Sequence, residues 1–338
     1  MPRDRGRPVP GAARMTVASR PAPPLLGYFE AVLAATLWGS SGIFAVHLFR
    51  MGVPPESVAL LRPLVGLALL VAWSAWAAPT QLRPDLPALV VLGLGGGAAV
   101  GVFQLAYQLS TDAVGVPTTV ALLYIAPAIV AAASGPLLGE WPTRRRVALV
   151  AVTLSGVWLS VLGARAVPTT FGSAGLAWGV LAGASYATYT LFGRFAAPRY
   201  GSARTVVYST AGACAILAVV LPLVSDPLVW PATPAAWAVL LAFGGLTIAL
   251  AQFLFFDALG RIEASRASVA TAVEPAVAAV LATTLLAQGL APVGWLGIAL
   301  IVTGVVGVGL TTRGRDASRL RRPPDDRTPP GSGSPPSA

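Results

Sequence analysis

Ten apolar runs separated by short polar breaks organise this chain. They cover residues 25–48, 57–78, 86–109, 114–138, 147–163, 172–193, 205–224, 235–258, 267–288 and 293–312. A helix rises about 1.5 Å per residue, so runs of this length cross a hydrocarbon core roughly 30 Å thick. The connections are short, often three to nine residues, and leave no room for a soluble domain between runs. The pattern predicts an all-α integral membrane protein of ten transmembrane helices.

Composition sharpens this picture. Of 338 residues 55% are hydrophobic and 11% are charged, whereas a soluble domain carries about 25% charged residues. All 23 basic residues are arginine, and the net charge is +10. That balance does not point to nucleic acid, because the arginines fall in the tails and in short loops rather than along one face. They orient the chain instead. With the N-terminus in the cytoplasm, twenty arginines lie inside, including Arg144-Arg145-Arg146 and the six from Arg313 to Arg327. Only Arg50 and Arg165 lie in outside loops, and Arg62 falls within the second run. Both termini are therefore expected in the cytoplasm. Residues 1–24 and 313–338, rich in Pro, Gly, Ser and charge, read as disordered cytoplasmic tails, and the first lacks the apolar core of a signal peptide. Arginine without lysine, with abundant Ala, Gly and Pro, suggests a GC-rich bacterial genome and hence a bacterial inner membrane. The single cysteine, Cys214, rules out an internal disulfide.

Shifting the chain by 148 residues superimposes its oddities. Gly96-Gly97 falls on Gly244-Gly245, Gln104 on Gln252, Pro127 on Pro275, Gly156 on Gly304 and Trp38 on Tyr186. Each copy holds five runs, an odd number, so the second copy enters the bilayer from the opposite face. Inverted repeats of this kind are the signature of many secondary transporters that alternate access about a central site.

Particular stretches resemble a known family. LWGSSGIF at 37–44, ALLRPLVGLALL at 59–70, and the segment from Ala106 to Arg146 are similar to the first half of an EamA-type member of the drug/metabolite transporter superfamily. Residues 255–288 and 294–308 are similar to the second half. The resemblance implies two EamA-like repeats, 25–163 and 172–312, a central substrate cavity, and export of amino acids or related metabolites and drugs. The family's fourth and ninth spans usually end in Gly-Glu. Gly139-Glu140 follows that pattern, but the second copy reads Ala287-Gln288. Gln288 is expected at the outer face with no arginine nearby, where an unpaired carboxylate would be poorly compensated.

Polar residues inside the runs are the candidates for chemistry. Pro127 and Pro275 sit near mid-span and are expected to free the carbonyls of Leu123 and Thr271, as a tolerated kink or as a hinge or broken helix facing the cavity. Glu274 is the one acid well inside a run, roughly 10 Å from the inner face by helical rise. It could carry a proton, hold a substrate ammonium or hydrogen-bond freed backbone. Arg62 could snorkel outward or meet an anionic substrate group, and His47 reads as an interface residue. Gln104 and Gln252, with Trp38, Ser40, Ser41, Tyr107, Tyr124, Tyr186 and Tyr189, are expected to line the cavity. Aromatic walls with a few hydroxyls suit an amphiphilic organic solute better than a bare ion.

GLGGGAAVG at 93–101 lacks the lysine of a phosphate-binding loop, and its glycines four apart suit close helix packing. No metal-ligand cluster, catalytic triad or cofactor motif is present, so an enzyme is not expected and any active transport draws on a gradient. The sequence thus predicts a secondary transporter of small organic metabolites, with the lipid bilayer as its solvent and a proton as one candidate coupling partner, the coupling being left open. Efflux of aromatic or cationic drugs and a non-transporting sensor or assembly protein are the alternatives, and a homodimer stays open.

Overall fold

A computed structural model describes residues 24–77, 79–82, 86–138, 143–164, 173–261 and 270–320. These residues form ten transmembrane helices in two inverted five-helix repeats. Five helical stretches, Leu25–Arg50, Pro55–Ala77, Leu86–Val114, Ala203–Val224 and Pro234–Phe255, are by themselves long and apolar enough to cross a membrane. The other spans are shorter apolar helices or carry arginine at one end, as in Ser173–Tyr200.

Connections are tighter than the apolar runs suggest. The third span ends at Val114 and the fourth begins at Val116, with Gly115 alone between them. The sixth and seventh are likewise joined by Gly201 alone. Both glycines take positive φ, 78° and 85°, a left-handed turn that side chains disfavour and that reverses the chain within one residue. The tenth helix, Pro292–Leu320, continues into the stretch expected to be tail, since proline is next met only at Pro323. The remaining tail residues, 1–23 and 321–338, lie outside the described residues.

Small residues draw the helices together. A Cβ on Gly97 would sit 2.8 Å from the Gly212 carbonyl carbon, and one on Gly212 would strike the Gly93 carbonyl oxygen. The third and seventh spans therefore touch through backbone along the glycine-rich stretch. The fifth and tenth meet in the same way, with the Cβ position of Gly156 2.6 Å from the Gly297 carbonyl oxygen. Large apolar side chains turn outward to the lipid instead, Trp76 with 84% and Leu223 with 79% of its surface open.

Several spans are interrupted rather than straight. The first is split at Ser40 into Pro24–Gly39 and Ser41–Arg50. The fourth breaks at Tyr124-Ile125, and the ninth at Ala272-Val273, positions 148 residues apart. The third and eighth spans each contain a π-helical segment, Val91–Gly96 and Gly245–Leu250. These abut the same repeat position, because the first ends just before Gly97 and the second starts at its counterpart Gly245.

Candidate functional site

The interruptions explain the oddest pair in the sequence. Glu274 and Pro275 do not sit inside a helix; they open a new one, Glu274–Leu285. A proline in the first turn gives up an N–H that has no intrahelical acceptor anyway, so it sacrifices no hydrogen bond there. An acid in that turn is favoured by the positive end of the helix dipole. Pro127 likewise stands second in Ala126–Leu138. Of the two expectations, a tolerated kink or a broken helix, the structure has the broken helix: each span stops, turns and restarts.

Glu274 faces the other break. The phenol of Tyr124, the first residue of the fourth-span turn, is the nearest polar side chain acting on it. Arg62, Tyr107 and Tyr186 lie within electrostatic reach. The first span comes close at its own break, where a Cβ on Gly39 would be 2.9 Å from the Glu274 carbonyl oxygen. Three interrupted spans thus converge on one carboxylate.

Arg62 does not snorkel. It is only 5% exposed, and its guanidinium is held by neutral groups from three other spans. Nη1 donates to Gln104 Oε1 at 3.1 Å. Nε and Nη2 both donate to Thr247 Oγ1, at 3.2 and 3.0 Å, and Nη2 reaches Ser41 Oγ at 3.4 Å. The plane lies over the Phe243 ring, 4.5 Å from its centroid, within the range of a cation–π contact. No carboxylate among the described residues is in ion-pair contact with it.

Thr247 and Phe243 are functional neighbours that the sequence reading missed. Thr247 is fully buried and donates its hydroxyl to the Phe243 carbonyl at 2.7 Å. Its own carbonyl accepts the indole N–H of Trp38 at 3.1 Å. That carbonyl lies in a π-helical turn, where the regular ladder is locally disturbed and a side-chain donor can enter. The signal available was the Gly244-Gly245 pair just before it, which marks a special backbone.

The remaining candidates divide. Trp38 stacks at a tilt on Phe255, with ring centroids 5.3 Å apart. Tyr107 is buried and packs on Phe103, which in turn contacts Tyr186. Tyr189 is half-buried beside Tyr186. Ser40 returns its hydroxyl to Leu37 O of its own helix at 2.7 Å, so it belongs to the backbone break and not to the Arg62 cluster. Gln252, half-buried, is likewise not among the partners of Arg62, unlike its repeat twin Gln104. His47 bonds Ile43 O at 3.0 Å. Glu140 lies outside the described residues. Gln288 accepts the Val116 N–H at 2.9 Å, tying the ninth span to the start of the fourth. The expectation that no arginine is near Gln288 is corrected, because Arg50 lines the same cavity. Among the described residues no group of three or more His, Cys, Asp or Glu side chains is placed to hold a metal.

Two inverted five-helix halves, broken where they meet and carrying buried charge at the meeting point, define a membrane transporter. The profile of the EamA-like transporter family matches residues 25–162 and 173–310, and the chain belongs to that family, within the drug/metabolite transporter superfamily. The uncharacterized inner membrane transporter YicL of Salmonella typhimurium is 25% identical over 298 residues, covering 86% of this chain and 97% of its own length. The threonine/homoserine exporter RhtA of Escherichia coli K12 is 29% identical over 288 residues, covering 83% and 90%. A crystal structure of a protein 22% identical in sequence aligns with TM-score 0.61 over 88% of this chain and 98% of that one, which shows the fold alone.

Proposed function

We propose that this protein is an exporter of small organic metabolites, amino acids above all, working by alternating access between its two halves. The observation that carries the reading is Arg62, a buried cation held by neutral groups and a π face, with Glu274 nearby but not paired to it. Charge buried in a membrane protein is costly and marks a site of use. A buried cationic group, Arg62, with a half-buried anionic one, Glu274, in electrostatic reach matches a solute that carries both a carboxylate and an ammonium. The naming of RhtA as a threonine/homoserine exporter supports the same class. A purely cationic drug would meet Arg62 as a repulsive neighbour, which counts against the multidrug reading.

In this scheme the arginine-rich end faces the cytoplasm of a bacterial cell, in the inner membrane, with both termini inside. Glu274 is the group placed to take a coupling proton or the solute ammonium, and the breaks at 124–125 and 272–273 are the flexing points. The test is release of labelled threonine from vesicles carrying the full chain, with and without a pH gradient. Release is expected to depend on the protein and to be lost on Glu274→Ala. Release unaffected by a pH gradient removes the proton role. No protein-dependent release of threonine, homoserine or a wider amino-acid panel overturns the reading.

A further inference from the structure

A second charged recess lies away from Arg62 and Glu274, at the end of the bundle that is poor in arginine. It is a cavity of about 320 Å³ bounded by Val46, Phe49, Arg50, Thr111, Asp112 and Gln288, where the first, third and ninth spans come together. That volume is at the lower end of the roughly 300–1,000 Å³ typical of small-molecule sites. Arg50 ends the helix Ser41–Arg50, and Asp112 lies in the last turn of Gly97–Val114. Neither forms an ion pair with the other or with another described residue. Both Arg50 and Asp112 are exposed at the mouth of this open recess, one side offering an unengaged guanidinium and another an unengaged carboxylate. Glu56 is the charged neighbour of Asp112 and deepens the negative side. Gln288 is fixed through its carbonyl oxygen by the Val116 N–H, which leaves its amide nitrogen as a donor. Val46 and Phe49 supply an apolar wall.

None of the cavity's lining residues bonds Arg62, and the two sites adjoin through Thr111, which lies next to Tyr107. Val46, Tyr107, Val116, Val120, Ala278, Ala282 and Leu286 pack together as one apolar cluster. Several of these belong to the outward helices of the first, fourth and ninth spans, between the cavity and the breaks where Glu274 and Tyr124 meet. Thr111, one helical turn beyond Tyr107, is on the cavity side.

We infer that this cavity is a second binding site, in series with the central one, for a small zwitterionic solute. Its carboxylate meets Arg50 and the amide of Gln288, its ammonium meets Asp112, and its short side chain lies on Val46 and Phe49. Charge-assisted bonds to both ends discriminate against solutes that carry only one charge. The inference rests on the proposed function for its solute class but uses different residues, so the two can fail separately.

The test is equilibrium binding of labelled threonine to the full chain in nanodiscs, with thermal unfolding as a check of folding. The wild type is expected to bind about two threonines per chain, and Arg50→Gln or Asp112→Asn about one. Arg50→Lys, which keeps the charge, is expected to restore the second site. Glu274→Gln is expected to weaken the central site and leave the cavity site in place. Butylamine and butyrate are expected to displace cavity threonine at least about tenfold less effectively than homoserine. A wild type that binds one threonine, unaltered by the cavity substitutions and removed by Glu274→Gln, overturns the second site while leaving the central reading intact. Absence of any threonine binding, or competition by butylamine or butyrate equal to that by homoserine, also overturns it.

Discussion

The fourth and ninth spans are repeat twins, and they differ where it matters. Both stop for two residues, at Tyr124-Ile125 and Ala272-Val273, and both restart with a proline in second place. The side chains at those positions are exchanged in character. Tyr124 corresponds to Ala272, and Ala126 to Glu274. Because the two copies run in opposite directions, the breaks face each other, and the polar member of one, Tyr124, lies beside the polar member of the other, Glu274. Symmetry of the backbone brings the breaks together, while asymmetry of the side chains makes the pair. Two tyrosines or two glutamates facing one another would not set a phenol beside a carboxylate.

Moving the carboxylate has the largest expected effect on this asymmetry. Glu274→Ala is expected to abolish measurable threonine release, a fall of at least about a hundredfold, the scale of a lost charge-assisted contact to the solute. Adding Ala126→Glu in that background restores a carboxylate at the twin position. It is expected not to rescue release, because the partners of Glu274 are not duplicated around Ala126. Rescue would show that the two breaks are interchangeable.

Arg62→Leu is expected next in size. It leaves the Gln104 carbonyl and Thr247 hydroxyl without their buried partner, at about 1–3 kcal/mol for each orphaned group. A lowered thermal midpoint in detergent, together with weakened threonine binding, is the expected outcome. Arg62→Lys keeps the charge but cannot present the same fork of donors, so it should restore stability only in part.

A smaller effect is expected from the latch between the same two spans. Gln288→Leu removes the acceptor for the Val116 N–H and is expected to destabilise by about 1 kcal/mol. It should speed hydrogen exchange of the Val116 amide, whereas Gln288→Glu keeps an acceptor and should not.

The prolines are expected to matter least. As second residues of restarted helices, Pro127 and Pro275 lose no intrahelical bond, so either one changed to alanine should shift stability by less than about 1 kcal/mol. Were they inside continuous helices, alanine would stabilise by about 3 kcal/mol and visibly raise the thermal midpoint.

Much of this was readable one residue at a time. Apolar runs long enough to span hydrocarbon gave ten helices, and the 148-residue offset gave the inverted pairing, because both are properties of local order along the chain. The same offset flagged Pro127 and Pro275, and the isolation of Glu274 in an apolar run flagged the carboxylate. Gln104 also stood out. Its bond to Arg62 did not, since the two are 42 residues apart on different spans. Thr247 gave no signal of its own because threonine is common in membrane helices, where its hydroxyl usually returns to its own backbone. Only the approach of the second span converts it into an acceptor for Arg62. Gln252 shows the converse, a twin by sequence that the packing leaves outside the cluster.

Local order along the chain sets the solvent, the number of spans, their inversion and the places where helices are weakest. These depend on hydrophobicity, on helical rise and on the lost N–H of proline, which act within a few residues. The tertiary structure alone decided that the breaks restart as helices facing one another, that Tyr124 meets Glu274, and that Arg62 turns inward to Gln104 and Thr247. It likewise brought Arg50 and Asp112 to one cavity. Such encounters depend on which helix faces pack, and glycine contacts such as Gly39 against Glu274 and Gly97 against Gly212 set that through close approach of backbones far apart in the chain.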